Sequence, residues 1–159
     1  QFQGKYSEAL DALASSEYFY RLVKPVPPES DLCEVINRQA EISIKFGKPE
    51  SALIPTLKWI KRKRANSDWH DEARGLKLLV EAQIELHHVL DAENAIKNIL
   101  DIYRFMLSDE EKKKKLKNRR YGIENAKEIL TFIRNAANKI HGSKYEIEAS
   151  SLLEKIEDL

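Results

Sequence analysis

The chain has 159 residues, of which 42% are apolar and 33% charged, and its 27 basic and 26 acidic residues leave a formal net charge of +1. This length and apolar content suffice for one domain with a continuous core and no disulfides. The balanced charge excludes a chain-wide attraction to nucleic acid or anionic membranes, so any such affinity must come from local clusters.

The single cysteine, Cys33, excludes an internal disulfide, and a lone thiol is typical of a reducing compartment. We therefore expect a cytoplasmic or nuclear protein. No apolar run approaches the roughly 20 residues that span a bilayer, so no membrane partner is expected. Because the chain starts at Gln1 and its first residues resemble the middle of a repeat, we interpret residues 1–159 as a single domain cut from a longer protein.

Apolar residues three and four positions apart predict helices along most of the chain, because this spacing places them on one helix face. The first clear helix starts at Cys33 and should end at Gly47, a residue suited to the left-handed conformation of a helix end. Pro49 fits the first turn of the next helix, and Pro55 inside it predicts a kink. That helix ends in the basic run 61–64, which suits a helix C-terminus.

Two further amphipathic stretches follow, over residues 76–90 and 96–103, with a short turn expected near Asp91. The same pattern returns over residues 123–140, stops at Gly142 and resumes towards the end of the chain. Strand-like alternation of β-branched residues is hard to find. The sequence therefore predicts an all-α fold of about seven or eight helices.

The segment 108–120 differs from the rest of the chain. Ser108 and Glu111 have the spacing of a capping box, which predicts a helix start. Between residues 110 and 120 the only apolar side chain is Leu116, so this helix has no continuous face to bury. We expect a basic, weakly packed segment here.

The sequence also matches itself at an interval of 43 residues. Residues 4–10 align with residues 47–53, and Ala52 aligns in turn with Ala95, while a shorter interval leads to a further copy over 122–126. Each copy places a small residue at the start of a helix, where it allows two helices to approach closely. The repeat predicts stacked helix pairs.

This junction of glycine, an aromatic residue or proline, an acidic residue, alanine and leucine resembles the turn between the two helices of a tetratricopeptide repeat, with Ala40 on the family's small first-helix position. The resemblance implies an α-solenoid of stacked antiparallel helix pairs that binds a peptide or helix in a concave groove. An interval of 43 exceeds the family's usual repeat of about 34 residues. Trp59 and Ile102 also stand where the family has alanine. The chain would therefore be a divergent member.

Transferring the family's groove positions to this sequence gives eight candidate partner-binding residues. They are Glu34, Asn37, Glu41 and Lys45 in one helix pair, and Lys77, Val80, Ile84 and His87 in the next. Because Glu34 and Glu41 stand where a carboxylate-binding clamp needs donors or neutral amides, no such clamp is expected. A mixed acidic and apolar groove favours a basic or amphipathic helical segment of a partner protein.

No pattern in the sequence indicates an enzyme, a cofactor or a metal. A glycine-rich phosphate loop and a nucleophile elbow are both missing, and the four histidines, His70, His87, His88 and His141, lack the spacing of a metal site. Residues 70–72 fit an acidic first turn of a helix, and Cys33 fits a small packing residue. We therefore expect a non-enzymatic interaction scaffold.

Two basic clusters support an alternative function as a nucleic-acid-binding module. The clusters cover residues 58–64 and 112–120, and their candidate contact residues are Lys61, Arg62, Lys63, Arg64, Lys112, Lys113, Lys114 and Lys115. Solvent-exposed helix ends explain such clusters more often. A third alternative is a structural segment that self-associates through uncapped repeat ends. The sequence favours the scaffold over both alternatives.

Overall fold

The structure, a computed structural model, describes residues 2–22 and 29–159, and all regular secondary structure in these ranges is helical. The eight helices are α1 (Phe2–Leu22), α2 (Glu29–Lys45), α3 (Pro49–Ala65), α4 (Trp69–Glu85), α5 (Val89–Met106), α6 (Glu110–Asn118), α7 (Gly122–Lys139) and α8 (Ser143–Glu157). The predicted all-α fold is confirmed.

The helices pack in adjacent pairs, which then stack on one another. Helix α2 pairs with α3, α4 with α5, and α7 with α8. Helix α4 lies against both α2 and α7, while α5 lies against α8 and α3 lies against α4. The first helices of the pairs, α2, α4 and α7, thus form one layer of an α-solenoid. The short helix α6 lies outside this alternation and contacts α5 and α7.

Four turns between helices share one geometry. The second residue after the helix end has a positive φ angle, at Gly47 (71°), Ser67 (53°), His87 (59°) and His141 (54°). The next amide donates to a carbonyl five positions back, as from Lys48 to Ser43 and from His88 to Gln83, both at 2.8 Å. These bonds satisfy carbonyl groups that a helix end leaves free. The predicted left-handed end at Gly47 and the start of α3 at Pro49 are confirmed.

The spacing of the turns corrects the register of the repeat. Helices α3, α4 and α5 begin at Pro49, Trp69 and Val89, so one helix and its turn occupy 20 residues and a pair occupies 40. Ala92, rather than Ala95, therefore holds the place in α5 that Ala52 holds in α3. The expected junction at residues 4–10 lies inside α1 and forms no turn. Alignment of identical residues gave an interval of 43 residues, which is three residues longer than the interval between the helix pairs.

Three predicted boundaries were wrong by a few residues. Helix α2 begins at Glu29 rather than at Cys33. The turn expected near Asp91 lies before Val89 instead, so Asp91 belongs to the first turn of α5. At α6 the capping side chain is Asp109 and not Ser108, because its carboxylate accepts the amide of Lys112 at 2.9 Å.

One hydrophobic core runs from Ile36 in α2 to Ile156 in α8. A smaller cluster beside it contains Ala40 and Ala52, both fully buried, which confirms the close approach expected of small residues at these positions. Trp59 packs in the main core with 2% of its surface exposed. Its indole Nε1 donates to the Asp71 carbonyl at 2.6 Å, so this buried polar atom is satisfied.

Candidate functional site

Helices α2, α4 and α7 expose a common surface, here called the α2–α4–α7 face, which contains two cavities. The first has a volume of about 110 Å³ and is enclosed by all three helices. Its polar lining comes from Asn37, Glu41, Arg74, Lys77, Asn125 and Glu128. Three of the eight predicted groove residues, Asn37, Glu41 and Lys77, therefore meet around one cavity, although they come from two different helix pairs.

The second cavity, of about 150 Å³, lies between α4 and α7. Its apolar wall includes Ile84, a predicted groove residue, and Phe132. Glu81 and Glu85 contribute acidic groups and Lys139 a basic one. Sequence reasoning missed the contribution of α7 because the repeat interval breaks before that helix, so no register carried the groove positions into it.

Hydrogen bonds and charges give the α2–α4–α7 face a mixed character. The amide of Asn37 donates to Glu41 at 3.1 Å, while its own Oδ1 is buried without a hydrogen-bond partner. Lys77 forms an ion pair with Glu128 at 2.9 Å. Burial raises the pKa of Glu81, and the nearby carboxylates of Glu85 and Glu41 raise it further. The face therefore combines acceptor groups, a negative local potential and apolar walls.

The remaining predicted groove residues do not line these cavities. Val80 is fully buried in the core, so its assignment to the groove was wrong, because the face of α4 that it occupies packs between helices. His87 lies in the turn after α4, with a positive φ angle and an exposed side chain. Glu34 pairs with Arg38 at 3.3 Å, and Lys45 is exposed at the end of α2.

A second concentration of polar groups lies where α3 ends and α4 begins. It comprises Lys63, Asp68, Asp71, Arg74 and Arg119, called here the charge cluster. Asp71, only 7% exposed, pairs with Lys63 at 3.0 Å and Arg119 at 2.9 Å. Burial by itself would raise the pKa of Asp71, but the hydrogen bond from Lys63 and the charge of Arg119 outweigh it, and the pKa is lowered. The cluster holds the Asp71 carboxylate ionised.

His70 adjoins the charge cluster and is 2% exposed. Neither of its ring nitrogens has a hydrogen-bond partner, and its ring meets that of Tyr103 edge-on at 6.5 Å between centroids. Burial and the positive charge of Arg119 lower its pKa to about 4. The imidazole is therefore neutral at physiological pH. Residues 70–72 do form the acidic first turn of α4. Their side chains are nevertheless buried, which the sequence of charged residues did not indicate.

A third cavity, of about 310 Å³, opens beside this buried histidine and is called here the α4–α6 cavity. The start of α4 and the end of α5 supply Trp69, His70 and Met106, and α6 covers the other side with Leu116. Lys112 and Lys115 of α6, and Arg119 just after it, add positive charges. The segment 108–120 is thus tied to the rest of the fold through Leu116, which is 1% exposed.

Ion pairs engage much of both basic clusters. In the first cluster Lys63 belongs to the charge cluster, and Arg64 pairs with Glu72 at 2.7 Å. In the second, Lys112, Lys113 and Lys115 pair with Asp109, Glu110 and Glu111 on their own helix, at 2.5, 2.6 and 3.1 Å. Lys61 and Lys114 are exposed, and Arg62 is half-buried. The charge available to a phosphate backbone is smaller than the count of lysines and arginines indicates.

Within the described residues, no group of three His, Cys, Asp or Glu side chains is arranged to hold a metal ion. The side chain of Cys33, predicted to be a packing residue, lies outside the described part of the structure. Among the described helices, none is long and apolar enough to cross a membrane.

Comparisons with known protein families, with curated proteins and with solved structures found no match to this chain, so its residues and their geometry carry the functional argument alone.

Proposed function

We propose that the chain is a non-enzymatic interaction scaffold of the tetratricopeptide type, acting in the cytoplasm or nucleus as part of a larger complex. In this proposal the α2–α4–α7 face binds a basic or amphipathic helical segment of a partner protein. The observation that carries the proposal is the convergence of Asn37, Glu41 and Lys77 with Glu128 around one cavity. Side chains far apart in sequence converge there, as in a binding surface built by stacked pairs.

The chemistry of the face supports this kind of partner. The second cavity supplies the apolar surface of Ile84 and Phe132, which suits an anchoring side chain on one face of an amphipathic helix. Glu41, Glu81 and Glu85 supply negative charge beside it. Burial, and after it the repulsion from Glu85 and Glu41, raises the pKa of Glu81, and the charge of a cationic partner would oppose this rise. Charge complementarity of this kind favours a basic segment.

An affinity purification from cell lysate tests the proposal, with the chain as bait at two salt concentrations. The groove variant is Glu41→Arg, and a matched control is Glu154→Arg on the exposed side of α8. We expect a protein that is captured at both salt concentrations, retained by the control and lost with the groove variant. Thermal unfolding of each variant separates lost binding from lost folding.

The same experiment includes a variant in which Lys112 to Lys115 are replaced by serine. Recovery of nucleic acid that disappears at higher salt and with this variant would overturn the scaffold in favour of phosphate binding. A partner captured equally by wild type and Glu41→Arg would place the binding surface elsewhere on the molecule and contradict the role of the α2–α4–α7 face.

A further inference from the structure

The α4–α6 cavity shares no lining residue with the two cavities of the α2–α4–α7 face. At about 310 Å³ it is the largest of the three and lies at the lower end of the range for small-molecule sites. Its walls come from three helices and one turn, so the fold rather than a single loop determines its shape.

The cavity wall includes a buried polar side chain that has no partner. His70 is 98% removed from solvent, and neither ring nitrogen makes a hydrogen bond within the described structure. A buried polar group left in this way is costly, and groups of this kind are normally satisfied by protein, water or a ligand. The neutral imidazole has one nitrogen that can accept a hydrogen bond and one that can donate. A ligand with a hydrogen-bond acceptor would satisfy the N–H group of the His70 ring.

The charges around the cavity are predominantly positive. Within the charge cluster three cations, Lys63, Arg74 and Arg119, surround the two carboxylates of Asp68 and Asp71. One positive charge therefore remains uncompensated in a half-buried environment. Asp68 is the one carboxylate on the cavity wall, and it is already paired with Arg119 at 2.7 Å.

Two lysines and a helix start add to this positive potential. Lys115 pairs only with Glu111, at 3.1 Å, and both side chains are largely exposed, so this pair is weak. Lys112 also lines the cavity, and it pairs with Asp109 at 2.5 Å. The cavity also reaches the first residues of the 17-residue helix α4, whose dipole favours an anion. The Asp68 side chain already accepts the amide of Asp71 at 3.3 Å, so the amides of Trp69 and His70 are the ones left for a ligand.

Another part of the cavity lining is apolar. Trp69, Met106 and Leu116 line it, and Trp69 is held by an edge-on contact with Phe105 at 4.8 Å between ring centroids. Apolar surface beside a small number of cationic groups is the composition of sites for organic anions. An inorganic anion alone would leave this part unfilled.

We propose that the α4–α6 cavity binds a small organic monoanion whose apolar body packs on Trp69, Met106 and Leu116. Its carboxylate lies towards Lys112, Lys115 and the start of α4, within reach of His70. This site is independent of the proposed scaffold function, so either can fail while the other stands.

Titration of the isotope-labelled chain with phenylacetate tests the site by NMR. For a ligand of this size an ordinary binding energy per heavy atom gives a dissociation constant in the millimolar range. We expect the His70 imidazole and the Trp69 indole signals to shift together and to saturate. Phenylacetamide, a neutral molecule of the same shape, and inorganic phosphate are the comparison probes, and each is expected to bind several-fold more weakly.

Two neighbouring lysines provide a matched pair of variants. Lys115→Gln removes a charge from the cavity and should weaken phenylacetate about threefold to fivefold, as expected for one exposed charge. Lys114→Gln removes a charge from the same helix but not from this cavity, and should leave binding unchanged. Both side chains are exposed, so folding is not at risk.

Several outcomes would overturn the proposal. They are no saturable shift of His70 with phenylacetate at millimolar concentrations, equal binding of phenylacetate and phenylacetamide, and equal effects of the two lysine variants. Phosphate binding as tight as that of phenylacetate would show that the apolar lining takes no part, and would also contradict the proposed ligand class.

Discussion

Trp59 lies in the core only because Gly75, on the neighbouring helix, has no side chain. A Cβ atom built on Gly75 would lie 2.2 Å from the Trp59 ring carbon Cδ1 and 2.9 Å from Cγ1 of Ile60. This glycine stands in the middle of α4, where it lowers helix propensity. Close packing of the indole against the backbone of α4 offsets that cost.

Replacing Gly75 with alanine is therefore expected to destabilise the fold. Helix propensity would favour the change by about 1 kcal/mol, but overpacking of a core typically costs about 1–3 kcal/mol, and a contact this short lies at the upper end. Urea unfolding followed by tryptophan fluorescence measures the net loss. Gly4→Ala is the control, because a Cβ at Gly4 meets nothing within 4 Å in α1, and it should not destabilise. Equal stabilities of the two variants would contradict the packing argument.

The buried histidine makes stability depend on pH. The pKa of His70 falls from 6.5 to about 4 on folding, so between these values the unfolded chain takes up a proton that the folded chain does not. The free energy of unfolding is therefore unaffected by His70 protonation above pH 6.5, and it decreases as the pH falls from 6.5 towards 4. The shift corresponds to about 3 kcal/mol.

Substitution of His70 by glutamine should remove this component of the pH dependence. Urea unfolding at a series of pH values between 4 and 7 compares the slope of stability against pH for wild type and variant. His88→Gln, in which the replaced histidine is exposed, is the control and should keep the wild-type slope. Asp71 does not confound the comparison, because its lowered pKa places its titration below this window. An unchanged slope in His70→Gln would show that the histidine is not buried as described.

At the scale of the helices, α6 is the element that least resembles its neighbours. Helix α6 is nine residues long, and Leu116 is its one buried side chain. Arg119, directly after it, connects this segment to the charge cluster through Asp68 and Asp71. Lys112 adds a contact with the face of the Phe105 ring at 4.0 Å. A few specific contacts, rather than a continuous apolar face, position α6.

Loss of the Arg119 side chain should therefore loosen the whole segment. Arg119→Met leaves Asp68 and Asp71 with fewer cations and is expected to cost about 1–2 kcal/mol, less than a fully buried pair because Arg119 is 37% exposed. Limited digestion with trypsin should cut within residues 112–120 faster than in wild type. The matched control, Arg120→Met, changes an exposed arginine that stacks on Tyr121. Equal digestion of both variants would mean that Arg119 does not hold α6.

The helices themselves were predictable because their signals are local. The spacing of apolar residues, the glycine at 47 and the proline at 49 act within one or two turns and set the start of α3 whatever the rest of the chain does. The capping choice between Ser108 and Asp109 was not predictable, since serine and aspartate are both common capping residues and these two stand one position apart. Only the path of the chain decides between them.

The site was predictable in part. The resemblance to the repeat family placed Asn37, Glu41 and Lys77 on helix faces that meet around one cavity. Val80 lies 43 residues after Asn37, whereas the helix pairs repeat every 40 residues, so Val80 falls three residues out of phase and is buried. The charge cluster joins Asp68 to Arg119 across 51 positions. No periodicity in the sequence links two residues that far apart on different sides of an inserted helix.

For the whole molecule, stacking of pairs makes stability unequal along the chain. Helices α4 and α5 lie between neighbours on both sides, whereas α1 packs against α2 near one end of the stack. In such arrays stability is roughly a sum of terms for each unit and its contacts with neighbours. End units therefore open more readily than central ones.

Amide hydrogen exchange should reveal this gradient. Among helices α1 to α5, we expect the amides of α1 to exchange fastest and those of α4 and α5 to exchange slowest. The exchange rate of α2 should lie between them. Mass spectrometry of peptides from each helix measures the order of the exchange rates. The pH is chosen so that local opening and closing are faster than the exchange itself. Uniform protection from α1 to α5 would mean that the chain unfolds as one cooperative unit instead.

The insertion of α6 also bears on how the chain reaches its fold. Most contacts join helices that are neighbours in sequence, and chains rich in such local contacts fold quickly. The contacts of α2 with α4, of α4 with α7 and of α5 with α8 are the exceptions. Those of α4 with α7 and of α5 with α8 form only when the chain closes the loop that contains α6. Closing that longer loop carries an entropic cost that the adjacent pairs avoid. We therefore expect docking of the last helix pair to be the slowest step in the folding of this chain.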